Sequence, residues 1–399
     1  MALYQIIDRK CTGCGECRQR CPFQAIDIQD GTASINAGCR ACGACVEACP
    51  AKAIIRLETM RDDIDKTQWK GILVVAETLG GKLHPVSLEL LGKALSLKQG
   101  AEPVNAAVIG QDIGDCAETL RAYGADTVYV YDDPAFSFFR ADAFCACAED
   151  CVRAMKPSVA LIGATALGRS LAPRLATRFA TGLTADCTSL QVRRDGSLIQ
   201  IRPAFGGNIM AQIVTPFTRP QFATVRYKVM DAPARMETPR GIILNRRIPP
   251  KALRSPILHG HTQPIPQAAS ICDAQVLVAA GRGLQKKSDL DMIRELASLL
   301  GGQHAVSRPL VEMGWESNLK QIGLSGRTVK PRLLIACGIS GAIQFTASMN
   351  SSERIIAINR DPEAPIFKTA HIGLVGDLYA ILPELINLIG KGSRHDTLS

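Results

Sequence analysis

Aromatic side chains make up only 5% of this 399-residue sequence, and just two of them are tryptophan. Proteins that grip single-stranded nucleic acid set aromatic platforms in a basic groove. The formal charge here is +9, but lysine and arginine are spread along the chain with no stacking repeat among them, which argues against nucleic-acid binding. Long apolar runs are missing as well. Nothing approaches the roughly 18 consecutive apolar residues of a membrane helix, so direct membrane insertion is not expected. The start, Met1-Ala2-Leu3-Tyr4, has no basic segment ahead of an apolar one, and we expect a soluble, cytoplasmic protein. Histidine is scarce, and His84, His259, His261, His304 and His371 stand isolated; each reads as structural or solvated rather than as half of a catalytic pair. Two nucleotide motifs are absent too. Gly80-Gly81-Lys82 lacks the upstream glycine and following hydroxyl of a Walker A loop, and no full G-x-G-x-x-G occurs.

Cysteine is the exception, at fifteen residues, eight of them in two runs. Cys11, Cys14, Cys17 and Cys21-Pro22, then Cys39, Cys42, Cys45 and Cys49-Pro50, repeat one C-x2-C-x2-C-x3-C-P spacing about 28 residues apart. This resembles a bacterial two-cluster ferredoxin, where three thiolates of one loop share a cluster with the last cysteine of the other run. Cys11, Cys14, Cys17 and Cys49 are therefore assigned to one 4Fe–4S centre. Cys39, Cys42, Cys45 and Cys21 are assigned to the other. Structural zinc also uses C-x2-C pairs but has no use for the fixed proline, and clusters of this kind belong to a reducing compartment where disulfides are rare. Gly13, Gly15 and Gly43 let the backbone turn closely around a cluster and leave amides free to donate to sulfur. Cys145, Cys147 and Cys151 fall on a helical stretch where the last two share a face. A third metal site and buried structural thiols both stay open there, the thiols favoured, as for Cys116, Cys187, Cys272 and Cys337.

A chain of 399 residues with 47% apolar content implies more than one core. The expected divisions are a ferredoxin-like α+β domain at 1–60, a parallel-sheet α/β domain at 70–230, a linker at 231–267, and a doubly wound α/β domain at 268–392. Short apolar runs at 71–75, 104–109, 126–131 and 158–163 alternate with amphipathic stretches such as 85–97 and 144–155. That is the pattern of a parallel sheet with helices on both faces. Asp195-Gly196 reads as a hairpin turn. Prolines from Pro233 to Pro266 mark the linker, and its basic cluster of Arg240, Arg246, Arg247, Lys251 and Arg254 reads as solvated or as a face for an acidic partner. Beyond it, strands are expected at 274–280, 332–336 and 354–358, and helices at 288–300, 340–349 and 376–388.

Two glycine-bearing turns in this last domain follow strands and open helices: Gly281-Arg282-Gly283 and Cys337-Gly338-Ile339-Ser340-Gly341. Backbone N–H groups at such turns suit a diphosphate, but taken alone the turns are equally compatible with simple tight bends. The order of segments says more. Gly281 to Leu284, Ala305 to Arg308, Gln321 to Gly326, Gly338 to Gln344 and Ala357 to Phe367 closely resemble the α subunit of electron transfer flavoproteins. Val74 to Glu77 and Pro85 to Ala94 extend the resemblance over residues 70 to 390. It implies an FAD with Arg282 over the isoalloxazine, and with Ser307 and Arg308 in contact after the next strand. Ile322, Gly323, Leu324 and Ser325 would form the loop at the ring, the Ser325 hydroxyl meeting the reactive flavin nitrogen. Ser340, Gly341, Ala342, Ile343, Gln344 and Phe345 would hold ring and diphosphate, Asn359 the diphosphate, and Asp377 and Leu378 the adenosine end. Leu324, Ser325 and Phe345 stand where the family usually has Gln, Thr and His. Losing that His removes a donor near the pyrimidine carbonyl, a change of about 1.5–3 kcal/mol that lowers the flavin potential; the alternative is that Phe345 merely packs on the FAD.

The same resemblance implies an electron-transfer subunit rather than a stand-alone enzyme, with no catalytic side chain of its own. Its partners would be an electron transfer flavoprotein β subunit, an acyl-CoA or hydroxy-acid dehydrogenase, and ferredoxin. A fused ferredoxin suits low-potential traffic and favours flavin-based bifurcation or confurcation with NADH in an anaerobe. An ordinary, non-bifurcating carrier is the alternative.

Overall fold

The computed structural model describes residues 3–36, 38–40, 42–57, 64–204, 209–257, 260 and 270–395. Two compact units divide the chain, residues 1–63 and 64–399. The first runs β1 (Leu3–Ile6), α1 (Glu16–Arg20), β2 (Ile26–Gln29), β3 (Thr32–Ile35), α2 (Ala44–Glu47) and β4 (Ile54–Leu57). β1 pairs antiparallel with β4, and β2 with β3. The core is Ile26, Ala33 and Ile54 around the buried Cys17 and Cys45. A core this small needs staples beyond apolar burial.

The second unit starts with β5 (Ile72–Ala76), a small hairpin of β6 (Thr78–Leu79) and β7 (Lys82–Leu83), α3 (Val86–Leu97), β8 (Val104–Gly110) and α4 (Gly114–Ala122). It continues through β9 (Thr127–Asp132), α5 (Ala141–Met155), β10 (Val159–Gly163), α6 (Ala166–Arg178) and β11 (Leu183–Cys187). An antiparallel trio follows, β12 (Ser189–Val192), β13 (Leu198–Ala204) and β14 (Ile209–Ile213), then β15 (Gln221–Val225), β16 (Ile242–Asn245) and α7 (Pro250–Leu253). Seven parallel strands form one sheet in the order β11-β15-β10-β5-β8-β9-β16. Along β5, Ile72 and Val74 pack on α3 and α4, while Leu73 and Val75 pack on α5 and α6. Both faces are covered, which is why the strand reads as one continuous apolar run. Cys145, Cys147 and Cys151 are buried in the α5 side of this core.

Residues 231–267 depart from the linker expected there. Ile242–Asn245 forms the edge strand β16 beside β9, and α7 packs near α5, where Lys251 pairs with Glu149 at 2.8 Å and Arg246 with Asp150 at 3.0 Å. Flanking prolines mask a strand of only four residues in the sequence, and two members of the basic cluster, the exposed Lys251 and the half-buried Arg246, pair with α5 carboxylates. His259, His261, Pro264 and Pro266 lie outside the described residues.

The remaining elements are β17 (Val276–Ala280), α8 (Leu290–Leu299), β18 (Gln303–Val306), α9 (Arg308–Glu312), β19 (Leu333–Cys337), α10 (Ile343–Thr346), β20 (Arg354–Asn359), β21 (Ile372–Val375) and α11 (Leu378–His395). Their five strands are parallel in the order β18-β17-β19-β20-β21, so the winding reverses between β17 and β19. A crevice opens at such a reversal, outside the carboxyl ends of the strands. On one face Val278 and Ala280 meet Leu290, Ile293 and Leu296 of α8 and Leu382 of α11. The other face, with Leu277 and Ala279, packs in a cluster that includes Phe345 of the short α10, Ile271, Ile322, Val329, Ile339, Met349 and Ile366. The helix expected at 340–349 contracts to α10. Gly341 sits at φ +88°, where a Cβ would come within 2.2 Å of the Ile366 nitrogen, so the chain bends before it coils.

Candidate functional site

In the first unit each cysteine run wraps a short helix, and the last cysteine of one run joins the first three of the other. Cys11, Cys14, Cys17 and Cys49 border one small cavity. Cys21, Cys39, Cys42 and Cys45 border a second. The internal repeat extends to the backbone. Gly15 and Gly43 open α1 and α2 at φ 81° and 88°, and Gln24 and Lys52, two residues after each Cys-Pro step begins its turn at proline, sit at φ 50° and 48°. That left-handed turn aims the next amide at sulfur: Ala25 N–H donates to Cys21 Sγ at 3.4 Å and Ala53 N–H to Cys49 Sγ at 3.3 Å. Ala33 N–H donates to Cys11 Sγ at 3.4 Å. Nothing in the cysteine spacing signals the roles of Gln24, Lys52 or Ala33.

Burial pushes the Cys17 and Cys45 thiols up, and the neighbouring Cys14 and Cys49, or Cys39, Cys42 and Cys21, add to the shift. Four crowded thiols ionise together only when bound positive charge replaces their protons, as iron does in a cluster. Among the described residues no group of three or more His, Cys, Asp or Glu side chains is arranged to hold a single metal ion, and no disulfide joins any cysteine. The thiol chemistry, the sulfur-directed amides and the paired cavities fit 4Fe–4S clusters.

In the second unit a cleft of about 870 Å³ opens at the carboxyl ends of β17, β18, β19 and β20. Its floor is two crossed glycine turns. Gly281 N–H donates to Cys337 O and Gly283 N–H to Gly338 O, both at 2.9 Å, and a Cβ on Gly281 would come within 2.4 Å of Gly338 O. The glycines that looked separately weak in the sequence are thus required by each other. Arg282, Arg308 and Arg360 line the cleft against the single carboxylate of Asp361, a balance that suits a diphosphate. A second loop crosses the mouth: Leu324 N–H donates to Gln344 O at 2.9 Å, joining 321–326 to α10.

Twelve of the sixteen residues expected to contact the cofactor line this cleft: Arg282, Ser307, Arg308, Ile322, Gly323, Leu324, Ser325, Ser340, Ala342, Gln344, Phe345 and Asn359. Several are also engaged with the protein. Arg308 pairs with Glu312 at 2.7 Å, and Asn359 donates to Ile339 O at 2.9 Å while accepting from Asp361 N–H at 3.0 Å. Phe345 is only 5% exposed, with its ring in the apolar cluster. Gly341, Ile343, Asp377 and Leu378 do not line the cleft. Gly341 makes room for Ile366, Ile343 points to solvent, Asp377 accepts from Tyr379 N–H at 3.0 Å at the start of α11, and Leu378 packs on Gly338 and Gly283. Pro309, Gln321, Arg360, Asp361, Ala364 and Pro365 line it without having been singled out. Arg360 and Asp361 follow β20 as Ser307 and Arg308 follow β18, and that shared position after a parallel strand was the available signal.

Among the described residues no helix is long and apolar enough to cross a membrane. Three family models match: the electron transfer flavoprotein domain over residues 72–245, the electron transfer flavoprotein FAD-binding domain over 270–350, and the 4Fe-4S dicluster domain over 3–50. The lactate dehydrogenase (NAD(+),ferredoxin) subunit LctC of Acetobacterium woodii is 48% identical, covering 94% of this chain and 91% of its own. The electron transfer flavoprotein subunit alpha of Thermoanaerobacterium thermosaccharolyticum is 43% identical over 81% of this chain and 98% of its own. Protein FixB of Rhizobium meliloti is 40% identical over 81% and 94%. With the crossed glycine turns, the cationic cleft and the paired thiol rings, these matches make the chain a member of the electron transfer flavoprotein α-subunit family that carries a 4Fe–4S dicluster domain beside its FAD-binding domain.

Proposed function

We propose that this chain pairs with an electron transfer flavoprotein β subunit and works with a 2-hydroxy-acid dehydrogenase in flavin-based electron bifurcation or confurcation between NADH and ferredoxin. One observation carries the reading: an FAD-binding domain and a dicluster domain share one chain, and that chain is 48% identical over 94% of its length to a subunit named for lactate dehydrogenase, NAD(+) and ferredoxin. FAD, when bound, interconverts single-electron cluster chemistry and paired-electron hydride chemistry. The protein's part is binding and electrostatics. Arg282, Arg308 and Arg360 offset the diphosphate charge, Ser307, Ser340, Gln344 and Asn359 orient the cofactor, and Ser325 offers its hydroxyl at the ring. Phe345 and Ile322 exclude water from one side. The two thiol rings hold the clusters, with the amides of Ala25, Ala33 and Ala53 stabilising thiolate charge and tuning potential. Eight thiolates kept in cluster form support a reducing compartment such as the cytoplasm as the site of action.

Anaerobic co-expression with a β subunit and a hydroxy-acid dehydrogenase tests the assembly. A complex that retains FAD and iron, and transfers electrons from the hydroxy acid only when all three chains are present, is expected. Turnover by this chain without a β subunit would overturn the reading. An ordinary carrier is the second reading, favoured by the 43% identity that spans 98% of an electron transfer flavoprotein α subunit but 81% of this chain. It predicts full electron transfer from the dehydrogenase with no NADH or ferredoxin present.

A further inference from the structure

We infer that Gln321 is a positioning residue that sets the direction in which the Ser325 hydroxyl offers its proton. The inference rests on the proposal that FAD lies in the cleft with its ring against Ser325. Both residues line the cleft, but Gln321 is only 4% exposed while Ser325 is exposed. The Gln321 backbone is fixed from several directions. Its N–H donates to Asn318 O at 3.1 Å, its carbonyl accepts from Arg327 N–H at 2.7 Å, and the next amide, of Ile322, donates to Val306 O at 2.9 Å at the end of β18. Gly326 allows this fold-back, since a Cβ there would come within 2.4 Å of Gln321 O. From that fixed post the side-chain Nε2 donates to Ser325 Oγ at 2.9 Å.

A serine hydroxyl carries one proton and two acceptor positions. With one acceptor position filled by the amide, the proton must point elsewhere, and among the described residues Ser325 makes no other side-chain hydrogen bond. The cleft therefore receives a donor. A donor favours the oxidised ring, whose reactive nitrogen bears a lone pair, over the reduced ring, where that nitrogen bears hydrogen. Glutamate at the same position is nearly the same size but, once ionised, only accepts. It would draw the Ser325 proton to itself and turn a lone pair toward the cleft.

The test uses the assembled α–β complex under anaerobic conditions and compares the dissociation constants of oxidised and reduced FAD. Gln321→Glu is expected to weaken oxidised FAD relative to reduced FAD by about five- to tenfold, the worth of one hydrogen bond, and so to raise the flavin potential. Gln321→Leu, which leaves Ser325 unbiased, should move the same ratio the same way by less; it decides the matter if the glutamate variant does not fold. In a Ser325→Ala background the neutral Gln321→Leu change should leave the ratio unchanged. Equal weakening of both redox forms, or an unchanged ratio in both variants, overturns the inference. If Ser325→Ala alone leaves both constants unchanged, the placement of the ring fails instead.

Discussion

A histidine at position 345 would enter the apolar cluster of Ile322, Ile339 and Ile366 at one edge and border the cleft at the other, because Phe345 does both. The packing role and the missing donor are therefore two faces of one residue. Phe345→His is expected to raise the flavin potential by restoring a donor, while burying a polar ring lowers stability by about 1–3 kcal/mol. Spectroelectrochemical titration with a parallel melting curve checks both, and an unchanged potential at retained FAD content counts against the donor argument. The cysteines allow a sharper separation. Cys49→Ala should abolish the cluster shared by Cys11, Cys14 and Cys17 and spare the one held by Cys21, Cys39, Cys42 and Cys45, leaving about half the iron. Equal weakening of both clusters in electron paramagnetic resonance contradicts the crossed assignment. Neither experiment depends on the dehydrogenase partner.

At the scale of elements, α3 carries a titrating support. Glu89 lies on the buried side of this helix and accepts the Lys228 N–H at 2.9 Å, just where the chain leaves β15. Burial pushes its carboxyl up from 4.5 to about 7, against the opposing pull of the Lys228 amide and ammonium. A raised carboxyl contributes stability below its unfolded value, and that contribution is lost as pH rises from 4.5 through about 7. Glu89→Gln keeps an acceptor for Lys228 and should flatten the stability profile across that window, removing a variation of about 3 kcal/mol. Urea melts at several pH values decide it; a variant whose profile still falls as steeply over that range contradicts the assignment. Most elements were legible, because β5 and its neighbours are continuous apolar runs between amphipathic helices. The two failures have identifiable causes. β16 is four residues in a proline-rich stretch, and the expected helix at 340–349 yields to the approach of Ile366 to Gly341. Both depend on distant partners that a local pattern does not contain.

For the whole molecule, cofactor content was the most legible property, since iron and flavin demand particular side chains at particular spacings. The crossed glycine turns and the role of Gln321 were not, because each becomes visible only when the parallel strands bring separate loops to one edge of the sheet. With the fused dicluster domain, the proposed function is that an electron pair from NADH is divided between a 2-oxo acid and ferredoxin. The direct measurement is anaerobic: ferredoxin reduction by NADH in the complete complex of this chain, its β subunit and the dehydrogenase, with and without the oxo acid. Bifurcation predicts that ferredoxin is reduced only while the oxo acid is being reduced, one electron of each NADH pair going to each acceptor. Ferredoxin reduction at the same rate without the oxo acid, or none in its presence while the oxo acid consumes every electron, would contradict it.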